Sequence, residues 1–321
     1  MKAGDFIRAL GAPKLFIPTI LSVALLAFVL SIADLEMVAA GLTALSAGDV
    51  VGVFALAFGY LVLKGVQIYL LLRALGIDMR PGQLVSVYAI GEMANSLPIG
   101  EFSQNWLLQK LQGTRFATSA AATTASLMLE GAVTLTTLLI LGIPNWPWLR
   151  PAIGAFFAVS LVCTSSLLWS RRAQQQGRRL VARGKRLRRV GEGLLAMLKG
   201  IRMLLAPVPL VAGGLLSLSY LLLIALVYYL VAHAVGLGGF SFEAAVTVYF
   251  FGLAVTLLLG PVSTQLGVIE ASSLGAMLAW GYPQEQALVL LLVVRVLWMG
   301  STWLACGGAA LALRREYRGR A

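Results

Sequence analysis

The chain has 321 residues, of which 59% are apolar and only 12% charged, and its mean hydropathy is +0.88. An ordinary soluble domain carries about twice that charged fraction, so the composition excludes a soluble fold and points to a polytopic membrane protein. The formal charge of +12 does not indicate nucleic acid, because the basic residues flank apolar segments and are not interleaved with aromatics on a polar face.

Lys2, Arg8 and Lys14 precede an apolar run from Leu15 to Ala33. The run is longer than a secretory signal core and has no A-x-A site before Asp34, so it is expected to be a retained spanning helix. Five further segments have the roughly twenty residues that a bilayer requires: 50–73, 117–142, 150–170, 207–235 and 287–313, which with 13–33 make six. Two other apolar stretches are interrupted. The first, 84–115, is cut by "NSLPIGE" at 95–101, and the second, 243–281, by "GPVSTQLGVIE" at 260–270. A Pro/Gly break frees backbone groups that lipid cannot satisfy, so each stretch is expected to be a re-entrant helical hairpin buried in protein or lining a wet cavity. Pro98 and Gly100 mark the first break, Pro261 and Gly267 the second.

Basic loops stay cytoplasmic, and every cluster agrees with both termini inside. The strongest signal is Ser170–Arg202, with eleven Lys and Arg against one Glu. It belongs to a basic cytoplasmic loop, 171–206, suited to anionic headgroups. Trp146 and Trp148 suit an outer interface. The two hairpins then enter from opposite faces, which makes 50–142 and 207–313 an inverted-topology repeat within one membrane domain, the architecture of many transporters. Landmarks recur in order: Pro98 and Pro261, Glu101 and Glu270, Gly113 and Gly281, Glu130 and Arg295.

An ionised side chain at membrane depth costs several kcal/mol and marks a functional candidate. Lys64, Glu92, Glu101, Glu130, Glu270 and Arg295 are the candidates for substrate binding or gating. Glu130 and Arg295 fall near mid-depth and could meet across the pseudo-twofold axis; the alternative is a structural ion pair. Glu101 and Glu270 follow the breaks, where they could bind substrate or cap a new half-helix. Lys64 could hold a phosphate or snorkel. Asn95, Ser263, Thr264 and Gln265 could coordinate a headgroup or satisfy freed backbone. Cys163 and Cys306 lie in apolar segments without metal or redox spacing. No catalytic motif, metal site or cofactor is expected.

"SLPIGEFSQNWLLQKLQG" (96–113), Glu130, and "GPVSTQLGVIEASSLGAMLAWGYPQEQALVLLLVVR" (260–295) resemble the transmembrane, flippase-like domain of lysyl-phosphatidylglycerol synthases, here as a stand-alone member. The family's second motif, P-x-x-x-G-x-x-E followed by a Gly and an Arg-bearing helix, is matched by Pro261, Gly267, Glu270, Gly281 and Arg295. The first, L-P-x-R-x-G-E-x-x-R, keeps Leu97, Pro98, Gly100 and Glu101 but is two residues shorter and lacks its arginines. The resemblance implies movement of a polar or anionic lipid between leaflets of a bacterial inner membrane, without lipid-aminoacylating activity. Membrane lipids are the implied partners, with a homo-oligomer or a lipid-synthesis enzyme as further partners. The alternatives are an accessory or scaffold protein of a lipid, hopanoid or polyprenyl-phosphate pathway, and a membrane-embedded transferase.

Overall fold

The computed structural model describes residues 23–94, 102–170, 175, 185–259 and 267–318. Among these residues there are helices and no strands. In chain order they are α1 (Val23–Ser31 in the described part) and α2 (Leu35–Ala44), bent by 87° from each other; α3 (Ala47–Ala74), α4 (Pro81–Ala94), α5 (Ser103–Gln112), α6 (Phe116–Leu141), α7 (Leu149–Trp169), α8 (Lys185–Leu204), α9 (Pro207–Ala234), α10 (Phe242–Leu259), α11 (Val268–Ala279) and α12 (Gln284–Arg318).

The helix starts follow from local chemistry. Asp34 accepts hydrogen bonds from the amides of Glu36 and Met37 at 2.9 and 3.2 Å, which starts α2 directly after the bend. Ser46 and Asp49 form a reciprocal capping box at the start of α3. Pro207 opens α9, where its missing N–H is not needed. Gly113 and Gly281 end α5 and follow α11 with φ of 67° and 89°; a left-handed residue stops each helix, as glycine permits.

Among the described residues, six helices are long and apolar enough to span a membrane: α3, α6, α7, α9, α10 and residues 284–308 of α12, with the bent α1–α2 pair as a seventh candidate. The protein is thus a multi-pass, all-helical membrane protein. This set differs from the sequence expectation at two places: the expected first span, 13–33, is described only from Val23 and ends at a bend of 87° after Ser31, and α10 joins the set. α10 was expected as a short hairpin arm, but its 18 residues rise about 27 Å, the length of a span. The segment 171–206 also differs from an open loop. Its second half forms α8, a 20-residue amphipathic helix that packs on α6 and α3 and buries Leu198, Ile201 and Leu204. The exposed apolar side chains of α7, among them Phe156, Val159, Val162 and Leu167, form a surface suited to lipid.

Both interrupted stretches place their two arms in contact, α4 on α5 and α10 on α11. In each, a glycine on the first arm makes room. A Cβ at Gly91 would lie 2.9 Å from Gln104 Cβ, and one at Gly252 would lie 2.5 Å from Ser273 Oγ and 3.1 Å from the Ile269 carbonyl oxygen. The breaks themselves, 95–101 and 260–266, lie outside the described residues.

The packing pattern is reciprocal. Taking α3, α4–α5 and α6 as one set and α9, α10–α11 and α12 as the other, α3 packs on its counterpart α9. α4 packs on α12 just as α10 packs on α6, and α3 packs on α12 just as α9 packs on α6. The contacts within each set also correspond.

Candidate functional site

Where the two sets meet, polar side chains from both line a small cavity of about 60 Å³, well below the roughly 300–1,000 Å³ of a typical small-ligand pocket. Its charged walls are Lys64 from α3, Glu92 from α4, Glu130 from α6, Glu270 from α11 and Arg295 from α12. Lys64, Glu130 and Glu270 are each 5% exposed or less. Charges so deeply buried require partners, and two ion pairs supply them.

The first pair joins Lys64 Nζ to Glu130 Oε1 at 3.4 Å. It sits in a hydroxyl network. Tyr220 donates to Glu130 Oε1 at 2.7 Å, and Ser126 donates to the same oxygen at 3.3 Å. Lys64 donates to the Tyr60 hydroxyl at 3.2 Å, which in turn donates to Glu92 Oε1 at 2.8 Å. Tyr88 donates to the other Glu92 oxygen at 3.0 Å. The ammonium also stands 5.6 and 5.8 Å from the ring centroids of Tyr60 and Tyr220, so two π faces share its charge.

The second pair joins Arg295 Nε to Glu270 Oε1. The other carboxylate oxygen, Oε2, accepts the backbone N–H of Gly267 at 2.7 Å. Glu270 therefore caps α11, one of the two roles weighed from the sequence, and its side chain lines the cavity.

The network continues on both sides of Lys64. Gln67, one turn along α3, donates to the Gly213 carbonyl at 2.9 Å and the Ser217 hydroxyl at 2.7 Å, while its own oxygen accepts from Ser126 at 2.7 Å. These bonds lock α3, α6 and α9 together at the center of the bundle. A smaller pocket shares Lys64 and Glu92 with the main cavity and reaches Gln104 and Thr123. There Gln104 and Asn105 of α5 donate to the Thr123 hydroxyl at 3.1 and 2.9 Å. A polar track thus runs from Arg295 to the second arm of the first hairpin.

Five sequence candidates come together here: Lys64, Glu92, Glu130, Glu270 and Arg295. Glu130 and Arg295, expected to face each other, line the same cavity, with Lys64 and Glu270 as their respective ion partners. Gly267 is placed at the cap of α11. Asn95, Pro98, Gly100, Glu101, Pro261, Ser263, Thr264 and Gln265 lie outside the described residues. His233 lies apart, exposed at the end of α9, its ring centroid 4.3 Å from that of Tyr229 and tilted against it by 52°.

The tyrosines Tyr60, Tyr88, Tyr220, Tyr228 and Tyr249, together with Gln67, Ser126 and Asn105, escaped the sequence reading. A signal existed. Tyr60, Lys64 and Gln67 fall at i, i+4 and i+7 on α3, and Thr123, Ser126 and Glu130 at i, i+3 and i+7 on α6, so each set makes one polar stripe on an otherwise apolar helix. Gly213, Ser217 and Tyr220 repeat the pattern on α9.

Fold and site together define a polytopic helical membrane protein with a charged cavity between two packed sets of helices. The sequence profile of the family described as "Lysylphosphatidylglycerol synthase TM region" matches residues 15–303. The chain belongs to this family, a membrane domain associated with lipid handling. Comparison with curated proteins and with solved structures gives no match.

Proposed function

We propose that this protein is a translocator that moves a polar or anionic lipid between the leaflets of a bacterial inner membrane, the headgroup crossing through the buried cavity while the acyl chains stay in the bilayer. The observation that carries this reading is the placement of two ion pairs, Lys64–Glu130 and Glu270–Arg295, on the walls of one cavity between the two helix sets. Ion pairs that served packing alone would be replaced at little cost by apolar contacts, whereas a headgroup crossing hydrocarbon needs both a cation and hydrogen-bond donors. The reciprocal packing of the two sets supports an inverted repeat, in which one set can rock against the other around a central site.

Reconstitution tests it. Full-length protein in liposomes is given a panel of lipids with different headgroups, each carrying a short fluorescent acyl chain, and extraction of the probe by external albumin reports its arrival in the outer leaflet. Translocation at the rate of protein-free vesicles across the whole panel would falsify the reading. Acceleration by wild type together with loss in Arg295→Met, under conditions where thermal unfolding shows that the variant remains folded, places the path through this cavity.

A further inference from the structure

A second cavity, of about 320 Å³ against about 60 Å³ for the charged one, lies along the opposite face of α3. Phe58, Val62 and Val66 stand there at i, i+4 and i+8, turned away from the polar stripe of Tyr60, Lys64 and Gln67. Val85 and Tyr88 supply the facing wall on α4, and Ala305 of α12 completes the groove. α4 packs more extensively on α12 than on α3, which leaves this gap between α3 and α4. Phe58, Val62, Val66 and Val85 are exposed, so the groove opens on the apolar surface that meets lipid.

The shape of the groove fits one kind of occupant. From Phe58 to Tyr69, which both line it, α3 rises about 16 Å, close to half of the roughly 30 Å hydrocarbon core and so to the depth that one acyl chain covers. Spread over that length, about 320 Å³ gives a cross-section of about 20 Å², the girth of an extended hydrocarbon chain. A helix, about 10 Å across, needs about 80 Å², so a helix of this chain or of a second copy is too wide. The lining side chains carry no polar atom beyond the hydroxyls of Tyr69 and Tyr88; water finds few partners there, whereas an apolar chain gains dispersion contacts from three helices. Tyr88 also joins the groove to the charged side, because its ring lines the groove while its hydroxyl donates to Glu92 Oε2 at 3.0 Å.

Resting on the translocator reading above, we propose that this groove binds one straight acyl chain of the lipid being moved. The chain lies lengthwise between α3 and α4, with bilayer hydrocarbon along its open side, and the headgroup it carries stays within reach of the polar track that runs from Tyr88 and Glu92 to Lys64. The lipid then enters from the side, between two helices, and not from the water at either face. Because lipid tails are as apolar as the groove, burial alone does not favour protein over bilayer; the groove selects by shape, and filling it abolishes binding.

Full-length protein is reconstituted in liposomes that hold a trace of phosphatidylglycerol with a photoactivatable diazirine midway along one acyl chain, illuminated, digested and read by mass spectrometry. Expected is denser labelling of segments 58–69 and 84–89 than of 156–167 on α7, whose apolar side chains are exposed outside this groove. The excess is lost in Val62→Trp and in Gly65→Leu, while labelling of α7 stays. Both variants keep the fold: Val62 is exposed, the nearest atom to a Cβ at Gly65 is Tyr88 Cδ1 at 3.7 Å, and leucine suits a helix better than glycine; thermal unfolding verifies it. Labelling no denser than on α7, or an excess that both variants retain, overturns the proposal. An equal excess from a photoactivatable polyprenyl phosphate assigns the groove to an isoprenoid chain and overturns the acyl assignment. Labelling as expected with no lipid moved by wild type leaves the chain site standing and removes the translocator reading; translocation at the wild-type rate in both variants, once their grooves are no longer labelled, keeps that reading and overturns the groove as part of the path.

Discussion

The two ion pairs of the cavity are built differently. Glu270–Arg295 joins adjacent elements of one helix set, α11 and α12, and its carboxylate is also fixed by a backbone amide at the start of its helix. Lys64–Glu130 joins α3 to α6 at 3.4 Å, and every other polar contact given above for these two side chains is to a neutral hydroxyl. One pair is a clamp made of backbone and a planar guanidinium. The other is a flexible ammonium among exchangeable hydroxyl partners. A site that must hold and then release a headgroup needs both kinds of wall, a fixed one that sets geometry and an adjustable one that answers the ligand.

The largest effect that sharpens this contrast is expected at the clamp. Arg295→Met strands a carboxylate that is 3% exposed, and breaking a buried pair from one side costs about 3–5 kcal/mol. Thermal or denaturant unfolding in detergent measures it. Adding Glu270→Gln should recover part of the loss, since the neutral amide needs no counter-charge; a double variant no better than Arg295→Met would mean that the pair is not the source of the cost.

Next come the hairpins. At Gly252, a Cβ would meet Ser273 Oγ at 2.5 Å and then Ile269 atoms at 3.1 and 3.2 Å, one of them a backbone oxygen; at Gly91 the nearest atoms are Gln104 Cβ at 2.9 Å and its backbone at 3.4 Å. Both alanine variants overpack the contact between arms, with costs of about 1–3 kcal/mol, and Gly252→Ala is expected at the upper end. Equal losses in unfolding would erase the difference between a tight second hairpin and a looser first one.

The sequence displays the clamp more openly than the adjustable side. Apolar run lengths and Pro/Gly breaks announce the helices and hairpins, because lipid imposes one-dimensional rules on length and polarity. A charge within such a run is conspicuous for the same reason, so Lys64, Glu92, Glu130, Glu270 and Arg295 could all be singled out. Pairing is harder to read, because it depends on how helices rotate against each other: Lys64 meets Glu130 across 66 positions of chain (130 − 64) through packing that no local pattern specifies. Tyrosine is ambiguous as well, since it serves equally at membrane interfaces; only the helical spacing from Tyr60 to Lys64 and Gln67 betrays its inward direction. α8 was hidden by its own charge. The basic run looks like an open loop, while Leu194, Leu198, Ile201 and Leu204 lay down an apolar stripe at spacings of four and three.

The smallest stability change is expected at the adjustable pair, and it tests the contrast most directly. Lys64→Met removes the cation beside Glu130, but Tyr220 and Ser126 still donate to that carboxylate. The cost is therefore expected at about 1–2 kcal/mol, below that of Arg295→Met. Unfolding curves of the two single variants decide the matter: if Lys64→Met costs as much as Arg295→Met, the first pair is as rigid as the second, and the cavity has two fixed walls.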